Sequence, residues 1–287
     1  MRFDKPLLAI IVAMLIGGVG NTLLATNPQD PYLFLSIRYL IATLILIYWV
    51  PKIFKLNWKL QLAGALEVGA LITLVLSLST ISVALATTIG TLAPLLSLGI
   101  NKITQHQNLP KLTILPILLG ITATVLIATQ KPITVESITG ILLAIASIIL
   151  GTAGSIINGW YGSNTSAWTR AAIPNLFGTI ILAPILILNL TDNNAIHPDG
   201  KMILAAFLIA LLPGTIAKAL TLYALKTIPV PLVMEASTLA VITATITSWL
   251  LLGQEITLTT IIGVSIGIVS TIILAILIGK QTQPIES

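Results

Sequence analysis

The chain has no cysteine. That excludes disulfides, thiolate chemistry and cysteine-based metal sites. It has two histidines, His106 and His197, and both fall in expected loops, so a metal centre or a tightly held cofactor is not expected. Charge is scarce at 8% of residues, where a soluble domain carries about a quarter. Aromatics are also few, at 5%, which weakens the case for an aromatic cage around a quaternary ammonium ligand. The pattern G-x-x-x-x-G-K-[ST] is missing, so nothing reads as a phosphate-binding loop. The 14 Lys and Arg residues are scattered through short loops, giving a net charge of +5 without the basic stripe that nucleic acid needs.

What remains is apolar. Hydrophobic residues make up 56% of the 287, and the mean hydropathy is +1.05. A membrane-crossing helix takes about 20 such residues. Runs of that length recur from end to end, as in "GILLAIASIILG", without the ten-residue alternation of a β-barrel. The reading is an all-α membrane protein. Its expected spans are 6–26, 31–50, 60–79, 82–101, 112–130, 138–159, 171–190, 202–223, 231–252 and 258–279. The N-terminus starts like a signal peptide, but its apolar run is too long and no cleavage site follows. It is expected to stay as the first helix.

Basic residues set the orientation. With the N-terminus in the cytosol, Arg2, Lys5, Lys52, Lys55, Lys59, Lys102, Lys111, Arg170, Lys226 and Lys280 fall on the cytosolic side. Lys131 and Lys201 fall outside, and Arg38 and Lys218 lie inside spans. The positive-inside rule then places both termini in the cytoplasm, and the cell (inner) membrane is the expected location.

The chain also repeats itself. Sliding it so that Ile81 meets Ile228 brings Val83 onto Val230, Leu85 onto Leu232 and Thr91-Leu92-Ala93 onto Thr238-Leu239-Ala240. The register holds to Gly120 on Gly267 and Thr124 on Thr271, and a slightly smaller shift puts Gly17 on Gly151 and Gly20 on Gly154. Each copy, 1–133 and 134–287, holds five expected spans. An odd number makes the second copy enter from the opposite face. That is the inverted repeat of many secondary transporters, with a central cavity between the halves.

Several stretches resemble the EamA-like branch of the drug/metabolite transporter superfamily. They are "YALKTIPVPLVMEASTLAVITATITSWLLLGQEITLTTIIGVSIGIVSTIIL" (223–274), "DPYLFLSIRYLIATLIL" (30–46) with Arg38, and "TLAPLL" (91–96). The turn "NKITQHQNLP" lacks the family's Gly-Glu pair, and Gln254 separates Gly253 from Glu255. The resemblance implies a ten-helix bundle around a cavity. It implies cargo such as amino acids, other metabolites, nucleotide sugars, cationic drugs or lipid-linked sugars, and export more often than import.

Four ionisable residues lie within expected spans: Arg38, Glu67, Lys218 and Glu235. Each costs about 2.5–3.5 kcal/mol at a helix centre unless it pairs, snorkels or faces water. At 1.5 Å rise per residue, Glu67 and Lys218 lie about 12 Å from the cytosolic face and Glu235 roughly 6 Å. The three can cluster. Lys218 pairs with Glu235, snorkels, or contacts a substrate carboxylate. Glu67 and Glu235 are candidate proton carriers. Glu235 shares a helical face with Thr238 and Thr245. Thr91 belongs to the equivalent stripe in the first copy. Arg38 sits nearer the outer face, where a structural role competes with substrate binding. Asn21 and Asn158 offer both donors and acceptors. The expected function is alternating-access transport of a small polar metabolite, by efflux, with the lipid bilayer as its setting and homodimerisation allowed. Lipid-linked flipping, an intramembrane enzyme and a partner-binding membrane protein are the rivals.

Overall fold

The computed structural model describes residues 5–25, 30–78, 80–81, 86, 89–90, 92–105, 112, 114–128, 138–191, 198–253 and 257–281. Among them there is no strand. The first helices are α1 (Lys5–Ala25), α2 (Pro31–Ile45), the short α3 (Val50–Ile53), α4 (Trp58–Leu78), α5 (Ala93–Gln105) and α6 (Ile114–Ala128). Then come α7 (Ile138–Tyr161), α8 (Ala167–Thr191), α9 (Gly200–Leu211), α10 (Lys218–Ala224), α11 (Val230–Glu235), α12 (Ser237–Leu252) and α13 (Leu258–Gln281). A π-helical stretch, Leu212–Ala217, joins α9 to α10.

Local chemistry sets the ends. Asp30 caps α2 by accepting from the Tyr32 and Leu33 amides at 2.9 and 3.0 Å, and Asp199 caps α9 through Met202 N at 2.7 Å. An aspartate oxygen replaces the partners that first-turn N–H groups lack. Gly253 closes α12 at φ 63°, a left-handed conformation that suits glycine.

Among the described residues, five helices are long and apolar enough to cross a membrane. They become six if the pair Pro31–Ile45 and Ile47–Ile53, bent by 67°, counts as one span. Lys5–Gly20, Ile114–Ile127 and Leu258–Leu274 are apolar but shorter. Among the long helices, α7, α8, α9 and α12 carry exposed Leu142, Ile149, Ile187, Leu204 and Leu250, as a lipid-facing bundle should.

The closest helix pairs are α4 with α7, α6 with α13, α1 with α12 and α2 with α8. Between lipid-exposed helices the apolar driving force is weak, so close packing and hydrogen bonds hold them together. Each interface has such a bond: Ser147 Oγ to Ala70 O at 2.7 Å, Ser270 Oγ to Pro116 O at 2.7 Å, Thr22 Oγ1 with Thr247 Oγ1 at 2.6 Å, and Thr43 Oγ1 with Thr179 Oγ1 at 2.8 Å. Small residues permit the approach: a Cβ on Gly154 would lie 2.9 Å from Ala63 O, across the α4–α7 contact.

Candidate functional site

Inside the bundle lies a cavity of about 120 Å³, lined in part by Arg38, Tyr39, Glu67, Asn175, Gly214 and Lys218. Lys218 opens α10, and its ammonium is 2.6 Å from Glu67 Oε1 on α4. The same oxygen accepts from Asn158 Nδ2 on α7 at 3.2 Å. Asn158 in turn offers its carbonyl to Arg170 Nη1 at 3.0 Å, and Arg170 Nη2 donates to Leu222 O on α10. The network Lys218–Glu67–Asn158–Arg170 therefore ties α4, α7, α8 and α10 together. Removing Lys218 would leave the largely buried Glu67 carboxylate without its cation.

The cavity exists because a helix gives way. Pro213 has no N–H and cannot continue an α-helical ladder. The chain passes through the π segment there, with Thr215 Oγ1 bonding Ala210 O at 2.8 Å. Such π-bulges recur at functional sites. Asn175 Nδ2, from α8, reaches the Gly214 carbonyl at 3.2 Å. Arg38 stacks its guanidinium 4.4 Å from the Tyr39 ring centroid, while its buried Nε has no hydrogen-bond partner. Two cationic side chains and one carboxylate side chain thus line one small, largely apolar space.

Lys218 is not paired with Glu235. The short turn between α10 and α11 makes that pair look natural in sequence, but the Glu235 side chain faces the other way, onto α6 and α13. There its Oε1 lies 2.9 Å from Ser270 Oγ and 3.3 Å from Thr238 Oγ1. The three-residue cluster of Glu67, Lys218 and Glu235 therefore resolves into two sites. Arg38, expected nearer the outer face, lines the same cavity as Lys218. Thr238 contacts Glu235, whereas Thr245 bonds its own helix at Val241 O, 2.9 Å away. Asn158 bridges to Glu67, but its Oδ1 is buried without a partner. Thr91 and the Asn21 side chain lie outside the described residues, as do His106 and His197.

Sequence reasoning missed four contributors. Arg170 was counted as a cytosolic charge, yet it is 1% exposed in the first turn of α8. Its buried charge also acts on the turn after α10, where burial and Arg170 hold the Lys226 ammonium below the ordinary lysine range. Asn175, Tyr39 and Ser270 gave little signal as single polar residues. The Pro174-Asn175 step beside a second in-helix proline was a usable hint.

An apolar helical bundle with ionisable side chains around a cavity is an arrangement that membrane transporters use. Residues 138–276 match the model of the EamA-like transporter family. That match supports a membrane transporter and is consistent with the drug/metabolite transporter superfamily. A solved structure titled "Crystal structure of protein" is similar over 97% of this chain and 99% of its own, at 16% identity and a TM-score of 0.78. That likeness concerns the fold alone. A search of curated proteins gives no match.

Proposed function

We propose that this chain is a secondary transporter of small polar metabolites, amino acids or related compounds, working by alternating access in the cell membrane, with efflux as its direction. One observation carries the reading: the Lys218–Glu67 ion pair and Arg38 border a cavity inside an apolar bundle. Charge in hydrocarbon is expensive, and intramembrane ionisable residues mark substrate pathways. Arg38 supplies a donor fork for a carboxylate. Glu67 offers a partner for an ammonium, exchanged against Lys218. Together they suit a zwitterion.

The reading includes ten spans in two inverted halves, 1–133 and 134–287. Its support is a pair of matched contacts. A Cβ on Gly20 of α1 would lie 2.6 Å from Pro213, in the expected eighth span. On Gly154 of α7 it would lie 3.0 Å from Glu67 Cγ, in the expected third span. Gly20 and Gly154 are equivalent in the sequence repeat, and so are the spans they touch. Broken helices at a repeat interface are where transporters bind substrate.

The test is flux in proteoliposomes. Radiolabelled amino acids, related metabolites and cationic drugs are assayed for uptake and efflux. Saturable flux of at least one polar metabolite, lost in Arg38→Gln and Lys218→Met, is expected; no flux across the panel removes the reading.

A further inference from the structure

Glu235 is 2% exposed and lies outside the cavity lining. It ends α11, at the break before α12, and meets Ser270 of α13, which also bonds the Pro116 carbonyl of α6. A Cβ on Gly120 of α6 would overlap its carboxylate, so that glycine provides the room it occupies. The helices packed against α11 and α12 are α1, α5, α6, α7 and α13. Their titratable residues are Lys5, Lys102, Tyr161 and Lys280, all near helix ends, and α6 and α12 have none. Tyr161 is engaged by Lys59 Nζ at 2.8 Å. Among the described residues no cation is ion-paired with Glu235.

The hydrogen bonds then require counting. Ser270 Oγ is 2.7 Å from Pro116 O and 2.9 Å from Glu235 Oε1. Both separations need a proton between the oxygens, and a hydroxyl has one to donate. A proline carbonyl has none. If Ser270 donates to Pro116, the second proton sits on Glu235, which donates to Ser270. If Ser270 donates to Glu235 instead, Ser270 and Pro116 face each other as bare acceptors.

We propose that Glu235 is a dedicated proton-binding site, separate from the substrate cavity, in which the carboxylic acid donates to Ser270 and Ser270 donates to the Pro116 carbonyl. Loading joins α11, α6 and α13. Release leaves an anion with hydroxyl partners alone, and burial of that anion is costly enough to part the helices or admit water. The proton gradient would thereby drive the conformational cycle. This purpose rests on the transporter reading; the site itself is tested without it.

Infrared difference spectroscopy of the full chain in lipid nanodiscs, acid against alkaline buffer, reads the C=O stretch of protonated carboxyls. A titrating band is expected that disappears in Glu235→Gln, persists in Glu67→Gln and shifts in Ser270→Ala. Glutamine is nearly isosteric with the neutral acid, so Glu235→Gln should stay folded and monodisperse. Identical spectra for wild type and Glu235→Gln overturn the site, as does a band that sodium chloride abolishes at fixed pH when choline chloride does not. In proteoliposomes, gradient-driven accumulation should collapse in Glu235→Gln while downhill exchange continues; unchanged gradient drive overturns the coupling. A titrating band with no flux for any compound keeps the proton site and removes the transporter reading.

Discussion

Two glutamates within the expected spans have opposite surroundings. Glu67 has an ammonium at 2.6 Å, and Glu235 has hydroxyls. Removing the cation beside Glu67 should strand its charge. Lys218→Met is expected to cost about 2–4 kcal/mol, toward the low end of a buried pair because the lysine is 25% exposed. Adding Glu67→Gln should restore most of that loss. Denaturant-induced unfolding of the singles and the double closes the cycle, and additive losses would contradict direct coupling. Arg170 makes a sharper case. Its two forked contacts, to Asn158 O and Leu222 O, cannot both be met by lysine. Arg170→Lys is expected to lose about 2–3 kcal/mol in the same assay, despite preserving charge.

The break between α9 and α10 is a feature of an element rather than of a residue. Pro213→Ala restores an N–H and permits a regular helix, so thermal stability should hold or rise. Regular geometry would withdraw the Gly214 carbonyl from Asn175 and reshape the cavity wall, so flux should fall. A variant that gains stability and keeps full flux would show the π segment to be dispensable. Glycine plays the opposite part at α4–α7. Gly154→Leu places side-chain atoms where Ala63 O and Glu67 now lie. Overpacking costs about 1–3 kcal/mol or more, read as a lower melting temperature together with disturbance of the Glu67 pair.

Across the whole molecule, the four most extensive helix pairs among the described residues each join a helix within residues 1–133 to one within 134–287. Two five-helix bodies rocking as units would have to break every one of those contacts. A cycle in which those pairs move together would keep the contacts. The absence of cysteine makes this measurable without background labelling. Single cysteines at Leu71 and Asn175, both lining the cavity, should react with impermeant maleimide from one face at a time, with substrate shifting the balance. Equal reaction from both faces in every condition would exclude alternating access. A cysteine at Ser287 tests the cytosolic C-terminus in the same preparation.

Much of this protein was written locally. Hydropathy fixed its class, because about 20 apolar residues have few options but to cross lipid as helix. Asp30 and Asp199 marked their helix starts, since capping needs only neighbouring residues. The four intramembrane charges and Asn158 were visible as costly exceptions in an apolar sequence. Partnership was not visible. Lys218 lies nearer Glu235 along the chain but bonds Glu67, and Arg170 read as a loop charge until three helices closed over it. Such pairings depend on helix rotation and on which distant segment packs alongside. A linear sequence carries those quantities only through the sum of all its contacts, and the tertiary structure decided them.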